Sequence, residues 1–231
     1  MRISILTTIG LAGSLWIASA AETDKRATPT FNHDVAPILY NNCSGCHRPG
    51  EVAPFSLLTY DDAAKRAKQI AAVTSARFMP PWKAEPGYGH FLNERRLTDE
   101  QLGTIRDWAA GGAPEGDASQ KPMSPKFTEG WHIGEPDQIV KMSKPYSLPA
   151  EGNDVFRCFV IPLNATETEY VSKVEFRPGN RRVVHHAILF MDRTGQAKSH
   201  EKVPGEGYEC PGGPGLAISG GLGGWVPGAT P

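Results

Sequence analysis

The sequence is sparing with cysteine: four residues in 231, at positions 43, 46, 158 and 210. It has no basic tract and a formal net charge of −1, so its charge offers nothing to a nucleic-acid partner. Beyond the first 20 residues no segment is apolar enough to span a membrane. No internal repeat is visible. Glycine (25) and proline (20) are high for a helical protein, and both are dense over 204–231.

The opening "MRISILTTIGLAGSLWIASAA" carries one positive charge, Arg2, then an apolar run, then "ASA" at 18–20. This is the pattern of a cleaved secretory signal over residues 1–20. The apolar run is short for a span of ~20 residues; an uncleaved anchor is the alternative. An exported mature chain of about 210 residues can bury one large core or two small ones. Periplasmic or secreted location follows, and disulfides are allowed there.

The chain changes character along its length. "FNHDVAPILYNN" places Phe31, Val35, Ile38 and Leu39 on a helical stripe, with Asp34 in the first turn. "TYDDAAKRAKQIAAVTSA" starts at Thr59 with Asp62 three residues on, a capped helix start. In "LTDEQLGTIRDWAAGG", Thr98 and Gln101 form a capping box, Leu102, Ile105 and Trp108 share a face, and Gly111 and Gly112 stop the helix. Residues 111–126 read as a linker by composition. After it "VFRCFVIPL", "YVSKVEFRP" and "RRVVHHAILFMD" read as strands.

"NNCSGCHRPG" pairs Cys43 and Cys46 with His47 directly behind. C-x-x-C-H is the attachment signal of c-type haem. Two sulfurs at i and i+3 reach one haem edge from a single turn, and the adjacent histidine then lies under the ring to ligate iron. A redox C-x-x-C wants a βαβ context, which is absent. A four-cysteine zinc site wants a second close pair, and Cys158 and Cys210 lie far apart. For the other face of the iron, Met79 in "SARFMPPWKAEPG" is the favoured ligand, because the following prolines fix the backbone. His90 is the runner-up, and Met123 lies in the linker.

Residues 30–113, with "FNHDVAPILYNNCSGCHRPGEVAPF", "RFMPPWKAEPG" and "LTDEQLGTIRDWAAGGAP", resemble the class I-type cytochrome c domains of multidomain bacterial secreted oxidoreductases. The resemblance implies haem c on Cys43 and Cys46, with His47 and Met79 as axial ligands. Further on, "VVHHAILF" sets His185 and His186 side by side in an apolar setting. Adjacent side chains of a regular strand face opposite ways, so one buried and one exposed histidine is the plain alternative to a metal pair. "GWHIGEPDQIV" and "VEFRPGNRRVVHHAILF" resemble the copper type II, ascorbate-dependent monooxygenases, the peptidylglycine alpha-hydroxylating family. That resemblance implies that His185 and His186 are two ligands of the electron-donating copper. The family also uses a third histidine there, and a second copper held by two histidines and a methionine. After His186 this chain offers only His200 and Met191. The expectation is therefore a fragment cut before the third ligand and the second copper site.

Cys158 and Cys210 are 52 residues apart, and export favours their pairing over two free thiols. The expected architecture is α then β. A small all-α haem domain (21–113) and a linker (114–126) precede an incomplete jelly-roll-like β-sandwich (127–231). The expected function is electron transfer from haem to a copper-dependent monooxygenase module in a longer parent chain. The alternative is a haem electron carrier or redox sensor whose β-rich region is structural or a binding module. The expected partner is an electron donor or acceptor protein, or a small reductant.

Overall fold

The computed structural model describes residues 27–92 and 94–229; the signal segment expected over 1–20 lies outside them. A helical region comes first, and a region with two small antiparallel sheets follows it. No helix among the described residues is long and apolar enough to cross a membrane.

The first helix opens as a π-helical turn, Phe31–Val35, and continues as α1, Ala36–Asn42. Pro37 has no N–H, so the carbonyl of His33 loses its usual partner at this junction. The Ala36 N–H reaches back to the Phe31 carbonyl, and the Asp34 carboxylate accepts the Thr30 N–H at 2.7 Å. The helix expected from Thr59 onward is broken in two: α2, Tyr60–Ala64, and α3, Ala67–Ser75. Thr59 caps α2 as expected, accepting from the Asp62 N–H at 3.1 Å. At the break the Arg66 guanidinium donates to the Asp62 carbonyl and lies over the Phe55 ring at 4.4 Å. In α4, Asp99–Ala110, both bonds of the Thr98–Gln101 capping box are made, at 2.9 and 3.2 Å.

Phe31, Val35, Leu39, Ile105 and Trp108 form the fully buried heart of the helical region. The chain beyond α4 is tied back to its start. The Phe31 and Asn32 N–H groups donate to the Pro114 and Glu115 carbonyls, both at 2.9 Å, and Trp108 Nε1 donates to Pro114. These bonds satisfy N–H groups that the first helical turn leaves without intrahelical partners.

Among the described residues, every buried apolar side chain lies between Phe31 and Ala113. The second region therefore holds together by other means. β1, Arg157–Cys158, pairs with β3, Tyr208–Glu209; β2, Ala187–Met191, pairs with β4, Gly220–Trp225, with an irregularity between Leu189 and Phe190. A short helix α5, Gln196–His200, lies between β2 and β3. Cys158 and Cys210 are joined by a disulfide, as the sequence led us to expect. The Glu201 carboxylate accepts the N–H groups of Val160, Gly205 and Gly207, and the Arg157 guanidinium donates to the Glu206 and Gly207 carbonyls. Gly207 has φ 68°, and a Cβ there would strike the Cys158 carbonyl.

The strands are shorter than their sequence patterns. "YVSKVEFRP" forms none, because the Glu175 side chain draws this segment against the His132 and Ile133 backbone rather than into a ladder. The described residues form two two-stranded sheets and no sandwich. A sandwich buries two facing apolar layers, whereas Phe156, Ile188 and Phe190 are exposed here.

This asymmetry sets an expectation for stability. Ile105→Ala should destabilise the helical region by about 2–5 kcal/mol, whereas Ile188→Ala should change stability by less than about 0.5 kcal/mol. Thermal unfolding followed by far-ultraviolet circular dichroism measures both. Equal effects would contradict a core confined to the helical region.

Candidate functional site

The C-x-x-C-H segment follows directly from α1. The Cys43 and Ser44 N–H groups both donate to the Leu39 carbonyl at 2.9 Å, and the Ser44 hydroxyl, fully buried, donates to Tyr40 at 2.6 Å. The Cys46 and His47 N–H groups then fold onto the Cys43 carbonyl, at 3.1 and 2.9 Å. One turn thus carries Cys43 and Cys46 as two free thiols, each partly buried. Burial, and secondarily the neighbouring Cys46, push the Cys43 thiol up to about 12. A redox dithiol works through an acidic thiol, and Cys43 is held away from that state.

His47 is positioned by its own loop. Its Nδ1 lies 3.2 Å from the Phe55 carbonyl, its ring sits 4.7 Å from the Phe55 ring, and its carbonyl accepts the Leu57 N–H at 2.9 Å. A carbonyl only accepts, so Nδ1 carries the hydrogen and Nε2 keeps its lone pair. Burial pushes the imidazole below its ordinary value; the Phe55 bond opposes this and the Arg66 charge adds to it. A neutral ring of fixed tautomer is the form that ligates a metal.

Met79 follows α3, where the Phe78 and Met79 N–H groups both turn back to the Val73 carbonyl at 2.9 and 3.1 Å. It is partly buried and lines a cavity of about 30 Å³ with Trp82, Arg95, Arg96, Leu97 and Leu102 among others. The Trp82 indole Nε1 is buried without a hydrogen-bond partner. His90 is exposed and does not line this cavity, and Met123 is exposed.

His185 and His186 lie just before β2 rather than inside it, and both are exposed. Freed from the alternation of a strand, their rings come together at 5.3 Å between centres and 74° between planes. With each nitrogen ~2.1 Å from a shared ion, two imidazoles have ring centres up to about 6 Å apart. The pair fits within that span. His200 stacks on Tyr208 at 5.1 Å, and Met191 is the last residue of β2. Among the described residues no three His, Cys, Asp or Glu side chains are grouped to hold a metal. Cys43, Cys46 and His47 therefore do not converge on one point, as a zinc site would require.

Two clusters escaped the sequence reading. Glu175, with a side chain only 3% exposed, accepts from the His132 N–H at 2.7 Å, from the Ile133 N–H at 3.3 Å, and pairs with His132 Nδ1 at 3.1 Å. Burial opposes its ionisation, but the His132 and Ile133 bonds outweigh burial and hold its carboxyl below the usual range. Glu51 is flanked by Arg48 and Arg181, 130 residues from the latter. Neither partnership has a local pattern, because each joins residues distant in sequence or separated by a turn.

No protein family, curated protein or solved structure matches the chain. The resemblances named above rest on the quoted motifs alone.

The Glu175 cluster predicts a pH response. A carboxylate whose folded pKa is depressed contributes stability above its unfolded value, ~4.3, that is lost as pH falls through the folded value. The His132 and Ile133 amides should be protected, relative to their intrinsic exchange rates, at pH 6 and should lose that protection on acidification below about pH 4. In Glu175→Ala, which removes the acceptor, they should be unprotected throughout. Protection at pH 6 in that variant would contradict the account.

Proposed function

We propose that the chain is an exported c-type haem electron-transfer protein. The observation that carries this reading is the turn that presents Cys43 and Cys46 beside a His47 whose Nδ1 is tied to the Phe55 carbonyl. The Cys43, Cys46 and His47 donor set is the one that haem c takes. Cys43 and Cys46 would form the two thioethers, His47 Nε2 would be one axial ligand, and Met79 the other. The unpartnered Trp82 Nε1, which shares a cavity with Met79, is a donor suited to a carboxylate of the kind that haem carries. Haem so held supplies reversible one-electron transfer at iron. The chain's part is to fix the imidazole, shield the thioether side of the turn and set the potential through Met79.

The second region is read as part of a copper monooxygenase-like module, whose jelly-roll-like sandwich the two small sheets would begin. His185 and His186 would supply two imidazoles to copper, a reading supported by their 5.3 Å spacing. In a longer parent the haem would feed electrons to that module, and turnover would depend on a donor protein or small reductant. The exposure of both rings and the want of a third ligand among the described residues favour a second reading. There the chain is a haem carrier or redox sensor with a structural or binding module attached.

Expression in an export-competent host tests the haem reading. Cys43→Ala with Cys46→Ala should leave no haem on a denaturing gel, and haem still bound to that variant would overturn the assignment. Met79→Ala should lower the reduction potential, since the axial ligand sets it, while His90→Ala leaves it unchanged; the opposite pattern would transfer the ligand to His90.

Copper separates the two readings of the second region. Wild type should bind Cu(II) weakly, since two imidazoles leave the coordination incomplete, and His185→Ala or His186→Ala should each weaken it about tenfold further. Identical titration of wild type and both variants would favour the structural reading.

A further inference from the structure

We infer that the second region docks on the C-x-x-C-H face of the helical region, holding the His185–His186 pair beside the Cys46 edge. The inference rests on the haem reading for its purpose; its geometry stands on two separate contacts.

The first is an ion cluster. Glu51 accepts from the Arg48 guanidinium at 2.8 Å and from Arg181 Nη1 at 2.8 and 3.0 Å, using both carboxylate oxygens for Arg181. The Glu51 side chain is 12% exposed, and those of Arg48 and Arg181 are 19% and 24% exposed. Arg48 is the residue after His47, and its guanidinium also lies 4.0 Å over the Phe127 ring. Arg181 stands four residues before His185, in a turn closed by the Val183 and Val184 N–H groups on the Asn180 carbonyl. Partly desolvated charge clusters add little net stability, but they fix which surfaces meet, because a misplaced partner leaves a charge unpaired.

The second contact comes from the segment after β4. Ala187, next to His186, is paired across the sheet with Trp225. From Trp225 the chain runs into a turn closed by the Ala229 N–H on the Val226 carbonyl at 3.0 Å. That turn brings Gly228 onto the haem motif. Its carbonyl accepts from the Arg95 guanidinium, and a Cβ built on it would lie 2.5 Å from Cys46 Sγ and 2.8 Å from Arg95 Nη1. Gly228 has φ 76°, so both its conformation and the close approach call for glycine. One contact lies four residues before His185, and the other lies three residues beyond the Trp225 that pairs with Ala187.

Cross-linking through Cys46 tests the docking in the chain without haem, and NMR tests it in the haem-loaded protein. In the full chain produced without haem, Gly228→Cys should form a disulfide with Cys46 on mild oxidation, read by peptide mass spectrometry. Gly130→Cys, where a side chain would meet nothing within 4 Å, should not. Adding Glu51→Gln should slow the Cys46 cross-link about fivefold, the scale of one lost charge-assisted contact. In haem-loaded protein, oxidising the iron should shift the His185 and His186 ring signals in NMR spectra, and Glu51→Gln should shrink those shifts. Imidazole signals blind to the iron's oxidation state would overturn the docking, and a missing cross-link to Cys46 would overturn the Gly228 contact. A cross-link indifferent to Glu51→Gln would overturn the part assigned to the ion cluster. Failure of haem to attach would instead overturn the haem reading, leaving the cross-link to decide the docking.

Discussion

The bond between His47 Nδ1 and the Phe55 carbonyl is the constraint on which the proposed chemistry depends. It spans eight residues, so the loop between must fold back on α1, and the Leu57 N–H on the His47 carbonyl fastens that return. The loop in turn places the Phe55 ring against the imidazole and under the Arg66 guanidinium. Arg66 lies at the break between α2 and α3, so the helical region is organised around the histidine as well as around its apolar core. A ring held this way is neutral, oriented and open at Nε2. Those are the requirements of an iron ligand, the role proposed for it.

The two regions are stabilised by different physics. Residues 31–113 bury apolar side chains, whereas the second region relies on a disulfide, short strand ladders and carboxylates that gather backbone N–H groups. Two-stranded sheets are marginal alone in water. The contacts at Glu51–Arg181 and Gly228–Cys46 join the second region to the C-x-x-C-H segment and the residues just after it.

What was legible in the sequence was local. The Thr98–Gln101 capping box, the Thr59 cap and the C-x-x-C-H turn each depend on residues within four positions, and each formed. The Cys158–Cys210 pairing followed from counting and compartment. What was hidden depends on distant partners. The α2–α3 break uses a ring eleven positions upstream of Arg66. Residues 170–178 alternate like a strand, yet Glu175 spends its carboxylate on His132 and Ile133. The histidine pair reads as strand from its apolar flanks, but the turn at 181–183 starts the strand only at Ala187, and that offset brings the rings together.

The central claim is that Cys43 and Cys46 exist to hold haem. Its most direct measurement is haem and thiol content of the exported chain after denaturation and acid extraction. The account predicts one haem per chain that resists extraction, and no titratable thiol, because Cys158 and Cys210 are paired and Cys43 and Cys46 would be thioethers. Two free thiols per chain, with haem absent or removed by the acid, would contradict it.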